Sequence, residues 1–267
     1  SNQLATTFNK VRKMLLDNKI EDAVDLYKKA YEDLAVGVPL TSVDILKDTS
    51  RYDAYVERLT SFDKYYVRTG LPELDSIIGG WDREEELATI VARTNVGKSW
   101  LLLKFAVAAA EQGLNVGVYS GEMSERKVGY RIDTLIQHIS NGALIHGSSN
   151  IQNDYKTYIE NLPTRFKGKI KVLTPNMING AAGVTTLRAF IEKDNLDILF
   201  IDQHSLLEDD RKAKNPVERA SNISKDLKNL QVLKRIPIIS VSQQNRSSTE
   251  NGVGSEHIAQ SDRIAQD

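Results

Sequence analysis

The chain has 267 residues, of which 40% are hydrophobic and 27% are charged, and its formal net charge is −1. This length is sufficient for one large α/β domain with a smaller appendage. The near-neutral charge is unlike that of proteins that coat nucleic acid, so any nucleic-acid contact is expected to be local. The absence of cysteine excludes disulfides, thiolate zinc sites and cysteine nucleophiles, and it is consistent with a cytoplasmic protein. No stretch approaches the roughly 20 apolar residues that span a bilayer, so no membrane partner is expected.

Residues 1–60 are predicted to form a helical segment that is separate from the rest of the chain. Asn18 and Glu21 have the spacing of a capping box at the start of a second helix. Short amphipathic helices cannot bury their apolar faces alone, so the segment is either a simple helical extension or an oligomerisation element. The apolar positions of the predicted helices are Leu4, Phe8, Val11, Met14 and Leu15; then Ile20, Val24, Tyr27, Tyr31 and Leu34; then Tyr52, Tyr55, Val56 and Leu59.

Residues 61–267 are predicted to form the main domain. Short apolar runs alternate there with helical patterns, which is typical of an α/β fold with a mainly parallel central sheet flanked by helices. Ligands of such sheets bind at the carboxyl ends of the strands. Ser247–Ser255, rich in Ser, Asn and Gly, is predicted to be a mobile loop. The predicted strands are Leu87–Val91, Val116–Ser120, Ile170–Leu173, Ile198–Asp202 and Ile236–Val241, and the predicted helices lie near residues 100–112, 124–139, 185–193 and 216–234.

The first predicted strand leads directly into the segment Ala92-Arg93-Thr94-Asn95-Val96-Gly97-Lys98-Ser99. A loop of this kind between a strand and a helix is typical of a P-loop, whose backbone N–H groups bind phosphate. Lys98 would reach the β- and γ-phosphates of a nucleotide, and the Ser99 hydroxyl would bind Mg²⁺. The first position differs from the usual motif, because Ala92 stands where glycine is expected.

A carboxylate ends the predicted strand Ile198–Asp202, in the pattern of a Walker B strand. Asp202 is expected to face the P-loop, where it would hold Mg²⁺ together with the Ser99 hydroxyl. The alternative is that Asp202 only begins a loop, since aspartate is common after an apolar strand.

Glu122 follows the strand that comes after the P-loop helix. A carboxylate at that position is a candidate catalytic base, because it can orient and polarise the water that attacks a γ-phosphate. The alternative is that Glu122 is a negative charge that stabilises the N-terminus of the next helix.

Gln243 is predicted to lie at the end of another central strand. Its amide is a candidate for a hydrogen bond to the γ-phosphate, and the loss of that bond would report the nucleotide state to a DNA-binding loop. The alternative is a polar residue that only caps the strand.

Two further groups of residues carry weaker signals. The four histidines lack metal-ligand spacing, and for His204 we expect a packing or surface role. The basic residues Arg211, Lys212 and Lys214 form either a solvated surface or a loop that faces DNA.

Together these motifs resemble the RecA-like ATPase domain of DnaB-type replicative helicases, over roughly residues 66–267. The family P-loop often has alanine first, which accounts for Ala92. The combination separates the chain from relatives that share the fold but lack this set. The matching segments are Thr69–Asp75 with Gly79-Gly80, Ala92–Ser99, Glu122-Met123-Ser124, Asn222–Lys228 and Ser242–Arg246.

The resemblance implies a ring-shaped homo-hexamer that uses ATP and Mg²⁺ to translocate on single-stranded DNA. In this interpretation Glu122, Lys98 and Gln243 are catalytic, and primase and a helicase loader are further partners. One alternative is a RecA-like or RadA-like ATPase for recombination or helicase loading, which binds DNA without unwinding it. A second alternative is a nucleotide-binding regulatory protein that uses the P-loop as a switch.

The chain departs from the family pattern at three places. Asp202 is followed by Gln203-His204-Ser205 where the family has Tyr-Leu-Gln, and the run Ala259–Asp262 lacks the arginine of the DNA-binding loop. The chain ends at Gln266-Asp267, before the family's final strands and the basic residues that reach a neighbouring subunit. Its first 60 residues are too short for the family's N-terminal domain. These departures predict a phage or prophage member, or a chain shortened at its ends.

Overall fold

The computed structural model describes residues 2–17, 19–27 and 42–243. The chain divides into two compact units, Ser1–Tyr55 and Val56–Asp267. The division lies inside a helix that spans Ser50–Thr60, whereas the boundary predicted from the sequence lies at the end of that helix.

The first unit contains helix α1, Asn2–Leu16, helix α2, residues 20–27, and the beginning of helix α3, Ser50–Thr60. The rings of Phe8 and Tyr27 meet edge to face with centroids 6.4 Å apart, so α1 and α2 contact each other. Their other apolar residues, including Leu15, Ile20 and Val24, remain exposed. This agrees with the expectation that these helices cannot bury their apolar faces alone. Among the predicted positions, Asn18, Tyr31, Leu34 and the side chain of Leu4 lie outside the described residues, as does the predicted loop Ser247–Ser255.

The second unit follows the alternation of strands and helices that the sequence predicts. Each predicted strand and helix is present, with ends that differ by at most a few residues. The elements are α4 Phe62–Tyr65, β1 Tyr66–Val67, α5 Pro72–Ile78, β2 Trp81–Asp82, β3 Leu87–Ala92, α6 Lys98–Glu111, β4 Asn115–Ser120, α7 Glu125–Gln137, α8 Asn141–His146, α9 Gln152–Arg165, β5 Lys169–Leu173, α10 Pro175–Ile178, α11 Val184–Asp194, β6 Ile198–Asp202, α12 Pro216–Lys234 and β7 Ile238–Gln243.

The central sheet has five strands in the order β3-β7-β6-β4-β5, and every neighbouring pair is parallel. The predicted RecA-like α/β fold is therefore confirmed. In the register of the sheet, Ala92 pairs with Gln243, and Ser120 pairs with Asp202. The carboxyl ends of β3, β7, β6 and β4 consequently lie side by side at one edge.

Helices cover both faces of this sheet and create two apolar cores. Strand β6 shows the division, because Ile198 and Phe200 pack with the core on the α6 and α7 side. Leu199 and Ile201 pack with the core on the α11 and α12 side. All five residues of β6 are buried, which is expected of a strand that is covered on both faces.

A buried carboxylate on α7 joins this helix to α9, which the sequence did not predict. Asp133 is 5% exposed, and it accepts hydrogen bonds from the hydroxyls of Tyr155 and Tyr158 at 2.7 and 3.0 Å. Burial raises the pKa of Asp133, and the two hydrogen bonds oppose that shift. The tyrosine rings also stack on each other, with centroids 6.1 Å apart. This cluster fixes α9 on the outer face of α7.

We predict that Tyr158→Phe lowers the free energy of unfolding by about 1.5 kcal/mol, since it removes a buried hydrogen bond to a carboxylate. Urea unfolding followed by circular dichroism measures the change. Tyr130→Phe is the matched control, because the Tyr130 ring contacts Tyr155 while no described residue shares a hydrogen bond with its hydroxyl. Equal losses in the two variants would contradict a specific role for the hydrogen bond to Asp133.

Candidate active site

A cavity of about 460 Å³ lies at the carboxyl edge of the sheet. Four groups predicted from the sequence meet there: the P-loop, Glu122, Asp202 and Gln243. Strand β7 lies between the P-loop strand β3 and the Asp202 strand β6, so Gln243 occupies the centre of the edge.

The P-loop is divided between residues that line the cavity and residues that do not. The lining residues are Thr94, Asn95, Gly97, Lys98 and Ser99. Ala92 is the last residue of β3, and the side chains of Arg93 and Val96 are exposed outside the cavity.

The conformation of the loop explains why glycine precedes the lysine. Gly97 has φ +94° and is the N-cap of α6, a left-handed conformation that glycine adopts without strain. A glycine N-cap has no side chain that could accept hydrogen bonds from the first N–H groups of the helix. Those groups are therefore available to an anion at the positive end of the helix dipole.

Lys98 folds back over the loop in the structure. Its Nζ donates to the carbonyl oxygens of Ala92 and Arg93 at 3.2 and 2.8 Å. A phosphate oxygen is a stronger acceptor for an ammonium group than a neutral carbonyl. The ammonium is thus held at the cavity by bonds that a phosphate can replace.

Ser99 and Asp202 form the part of the site that suits a metal ion. The Ser99 hydroxyl donates to Oδ1 of Asp202 at 3.1 Å, while Oδ2 is buried without a partner among the described residues. Burial raises the pKa of Asp202; the Ser99 hydrogen bond opposes this shift, Glu122 adds to it, and Arg131 and Lys98 oppose it. A hydroxyl and an unpartnered carboxylate oxygen fit Mg²⁺, which prefers oxygen ligands and keeps several waters.

Glu122 is exposed at the cavity and is positioned by the backbone before and after it. The Gly121 N–H donates to the carbonyl of Asp202 at 2.6 Å, and the Met123 N–H donates to the Ser120 hydroxyl at 3.2 Å. Glu122 precedes the N-cap of α7, and Glu125 supplies the acidic residue of the first turn. This placement favours a role in the cavity over a role as a helix-dipole charge.

Gln203 is a site residue to which sequence reasoning gave no role. It is buried, and its side-chain amide donates to Oε1 of Gln243 at 3.3 Å. The peptide bond between Asp202 and Gln203 is cis. The hydrogen bond connects the ends of β6 and β7, so Gln243 does more than cap its own strand.

Trp100 and Arg131 also line the cavity, and sequence reasoning missed both. The guanidinium carbon of Arg131 lies 5.1 Å from the centroid of the Trp100 ring. A signal existed for Arg131, because it lies about two turns beyond Ser124 along α7, on the face where that helix begins. Nothing in the sequence pattern pointed to Trp100.

The structure also places the residues with weaker signals. His204 is buried, so the expected surface alternative is wrong, and burial lowers its pKa to about 4. Arg211 bonds to Asp226 at 2.5 Å and to Asn222 at 3.3 Å, which ties the basic segment to α12. Lys212 and Lys214 are exposed, and a contact with DNA stays a prediction.

Within residues 2–17, 19–27 and 42–243, the helices are all too short or too polar to cross a membrane.

Comparison with known sequences identifies the family. The family described as "DnaB-like helicase C terminal domain" matches residues 66–266. A probable plasmid replicative DNA helicase of Chlamydia psittaci is 27% identical over 253 residues, which cover 89% of this chain and 54% of that protein. The replicative DNA helicase DnaB of Helicobacter pylori strain J99 is 24% identical over 256 residues, which cover 92% of this chain and 51% of that protein. The chain thus spans about half the length of these relatives.

Solved structures share the fold. A structure of a DnaB-like replicative helicase and its interactions with primase superposes with a TM-score of 0.63 at 20% identity, covering 94% of this chain and 59% of that one. A second solved structure, of an isolated ATPase domain, superposes with a TM-score of 0.66 at 20% identity, covering 82% of this chain and 81% of that one.

We predict that Gly121→Ala lowers nucleotide turnover by about 10- to 100-fold, because a displacement of about 1 Å at a catalytic group has this effect. A Cβ at Gly121 would lie 2.9 Å from Cβ of Leu206, so the segment that carries Glu122 must move. Steady-state hydrolysis and nucleotide titration measure turnover and binding, and binding is expected to persist.

Gly129→Ala is the matched control, since a Cβ there meets no atom within 4 Å and alanine favours the helix. Unchanged turnover in Gly121→Ala would show that Glu122 does not depend on the close approach to Leu206.

Proposed function

This chain belongs to the DnaB-like helicases, whose C-terminal domain matches residues 66–266, and we propose that it hydrolyses ATP to move on single-stranded DNA and unwind duplex DNA. One observation carries the proposal. Lys98, Ser99, Glu122, Asp202 and Gln243 converge on one cavity, although they come from four different strand ends. These are the groups that phosphoryl transfer to water requires.

The nucleotide would bind with its phosphates at the P-loop. The N–H groups at the start of α6 would bind phosphate oxygens, and Lys98 would exchange its carbonyl partners for the β- and γ-phosphates. Ser99 and Asp202 would hold Mg²⁺, which neutralises charge on the phosphates when it is bound. The unpartnered Oδ2 of Asp202 supports this assignment.

Glu122 would act as the catalytic base. Its carboxylate would orient a water molecule and accept a proton as the water oxygen attacks the γ-phosphorus. The bond between the γ-phosphorus and the bridging oxygen of ADP breaks, and ADP and inorganic phosphate leave. Gln243 would donate its side-chain amide to the γ-phosphate, and its bond to Gln203 would transmit the loss of that phosphate to β6.

The macromolecular partners follow from the family and from one relative of known structure. Single-stranded DNA would be the track of a homo-hexameric ring, as the resemblance implies. The helicase whose structure superposes on this chain was studied for its interactions with primase, which supports primase as a partner. A helicase loader completes the proposed set.

The family match does not favour the alternatives of a recombination or loading ATPase without unwinding activity, or of a regulatory nucleotide switch. The matching proteins from Chlamydia psittaci and Helicobacter pylori are named as replicative helicases. A regulatory switch also has no need of the carboxylate Glu122 at the cavity.

We predict that Glu122→Gln lowers ATP turnover by about 10²- to 10⁴-fold, the usual contribution of a general base, while ATP binding persists. Lys98→Ala should lose ATP binding as well as turnover. Phosphate release and unwinding of a forked duplex measure these effects.

Glu125→Gln is the matched control, because Glu125 is exposed one turn from Glu122 and does not line the cavity. If Glu122→Gln and Lys98→Ala both unwind DNA as well as the parent protein, the assignment of the cavity as a helicase motor is wrong.

We also predict that the protein assembles into a homo-hexamer when ATP analogue and single-stranded DNA are present. Size-exclusion chromatography with light scattering measures the mass with and without each ligand. A monomer under every condition would contradict the ring-motor proposal.

A further inference from the structure

Trp100 and Arg131 meet at the cavity from two different helices. Trp100 follows Ser99 directly in the first turn of α6, and Arg131 lies on α7. The distance of 5.1 Å between the guanidinium carbon and the indole centroid is within the range of about 6 Å for a cation–π contact. The indole therefore holds the guanidinium beside the P-loop.

Arg131 has no acceptor of its own in the described part of the chain. The hydrogen bonds and salt bridges of residues 2–17, 19–27 and 42–243 do not include its guanidinium, although Glu122 and Asp202 line the same cavity. Other arginines of this unit are paired, such as Arg211 with Asp226 and Arg235 with Glu84. A planar group with five N–H donors, stacked on one side and unpaired at a cavity, suits a phosphate.

The position of Arg131 within the cavity indicates which phosphate it would meet. Its charge lowers the pKa of Asp202, and Lys98 has the same effect with a smaller contribution. Arg131 thus lies at the end of the cavity that contains Asp202 and Glu122, the proposed metal-binding and catalytic groups. The γ-phosphate belongs at that end.

We propose that Trp100 and Arg131 act as one unit that recognises the γ-phosphate within the same subunit and makes the site selective for ATP over ADP. The proposal rests on the proposed binding of ATP in this cavity. The Trp100 ring positions the guanidinium, and the guanidinium donates to the γ-phosphate oxygens. Lys98, by contrast, serves both nucleotides because it also reaches the β-phosphate.

Titration calorimetry with ADP and with a non-hydrolysable ATP analogue tests the proposal. Arg131→Ala should weaken analogue binding by about 10- to 100-fold, the range for a charge-assisted hydrogen bond, and should change ADP binding by less than about threefold. Trp100→Ala should weaken analogue binding by about 3- to 30-fold, the range of a cation–π contact. The double variant should bind the analogue no more weakly than Arg131→Ala, since residues that act as a unit are not additive.

Fluorescence gives a second readout that does not depend on turnover. In Trp81→Phe protein, Trp100 is the one remaining tryptophan, since the chain has two. Its emission should change on addition of the ATP analogue, and this change should be lost when Arg131→Ala is combined with Trp81→Phe. Arg126→Ala is the matched control, because Arg126 is exposed at the start of α7 and does not line the cavity.

The outcomes separate this proposal from the proposed function. If the parent binds the analogue and Lys98→Ala does not, but Arg131→Ala binds it like the parent, only the role of Arg131 is wrong. Equal losses of ADP and analogue binding in Arg131→Ala would show a structural role and would also overturn the proposal. If the parent binds neither nucleotide, the proposed function and this inference both fail.

Discussion

The register of four parallel strands is the constraint on which the candidate site depends. Strand β6 is buried on both faces, so a slip of one residue would move its apolar side chains between the two cores. The register that avoids this slip pairs Ser120 with Asp202, and β3 and β7 pair Ala92 with Gln243. The apolar packing of the sheet therefore places the polar strand ends beside each other, before any ligand contributes.

Electrostatics at this edge are unbalanced in a way that suits the ligands. Asp202 is 4% exposed, and burial raises its pKa because the charged form loses solvent. Lys98 is bonded to two carbonyls, and Arg131 only stacks on Trp100. Each of these three charged groups thus lacks a partner of opposite charge at bonding distance among the described residues. A polyphosphate with Mg²⁺ would supply those partners, and its binding would stabilise the arrangement of strand ends that the sheet already imposes.

Sequence reasoning succeeded where a residue's location follows from strand order alone. Asp202 and Gln243 each end an apolar run, so placing the strands in one parallel sheet also places these side chains. Arg131 could not be located in the same way, because its distance from the P-loop depends on how α7 packs on α6. The short helix α8 and the helix α9, Gln152–Arg165, were missed because α9 is polar, contains Pro163 and has one buried residue. Its attachment to α7 depends on Asp133, which no periodicity reveals.

The pair Gln203 and Gln243 extends the argument from chemistry to movement. The amide of Gln203 occupies an acceptor of Gln243, so the orientation of Gln243 is coupled to the segment after Asp202. That segment continues through buried His204 and Leu207 to Asp209, which accepts hydrogen bonds from Ala213 and from Asn222 of α12. A change of Gln243 on loss of the γ-phosphate would therefore reach the exposed residues Lys212 and Lys214 through a continuous path of bonded and packed groups. Such a path gives hydrolysis a physical route to a surface loop, and the two lysines are the cations that this loop would present to a nucleic-acid backbone.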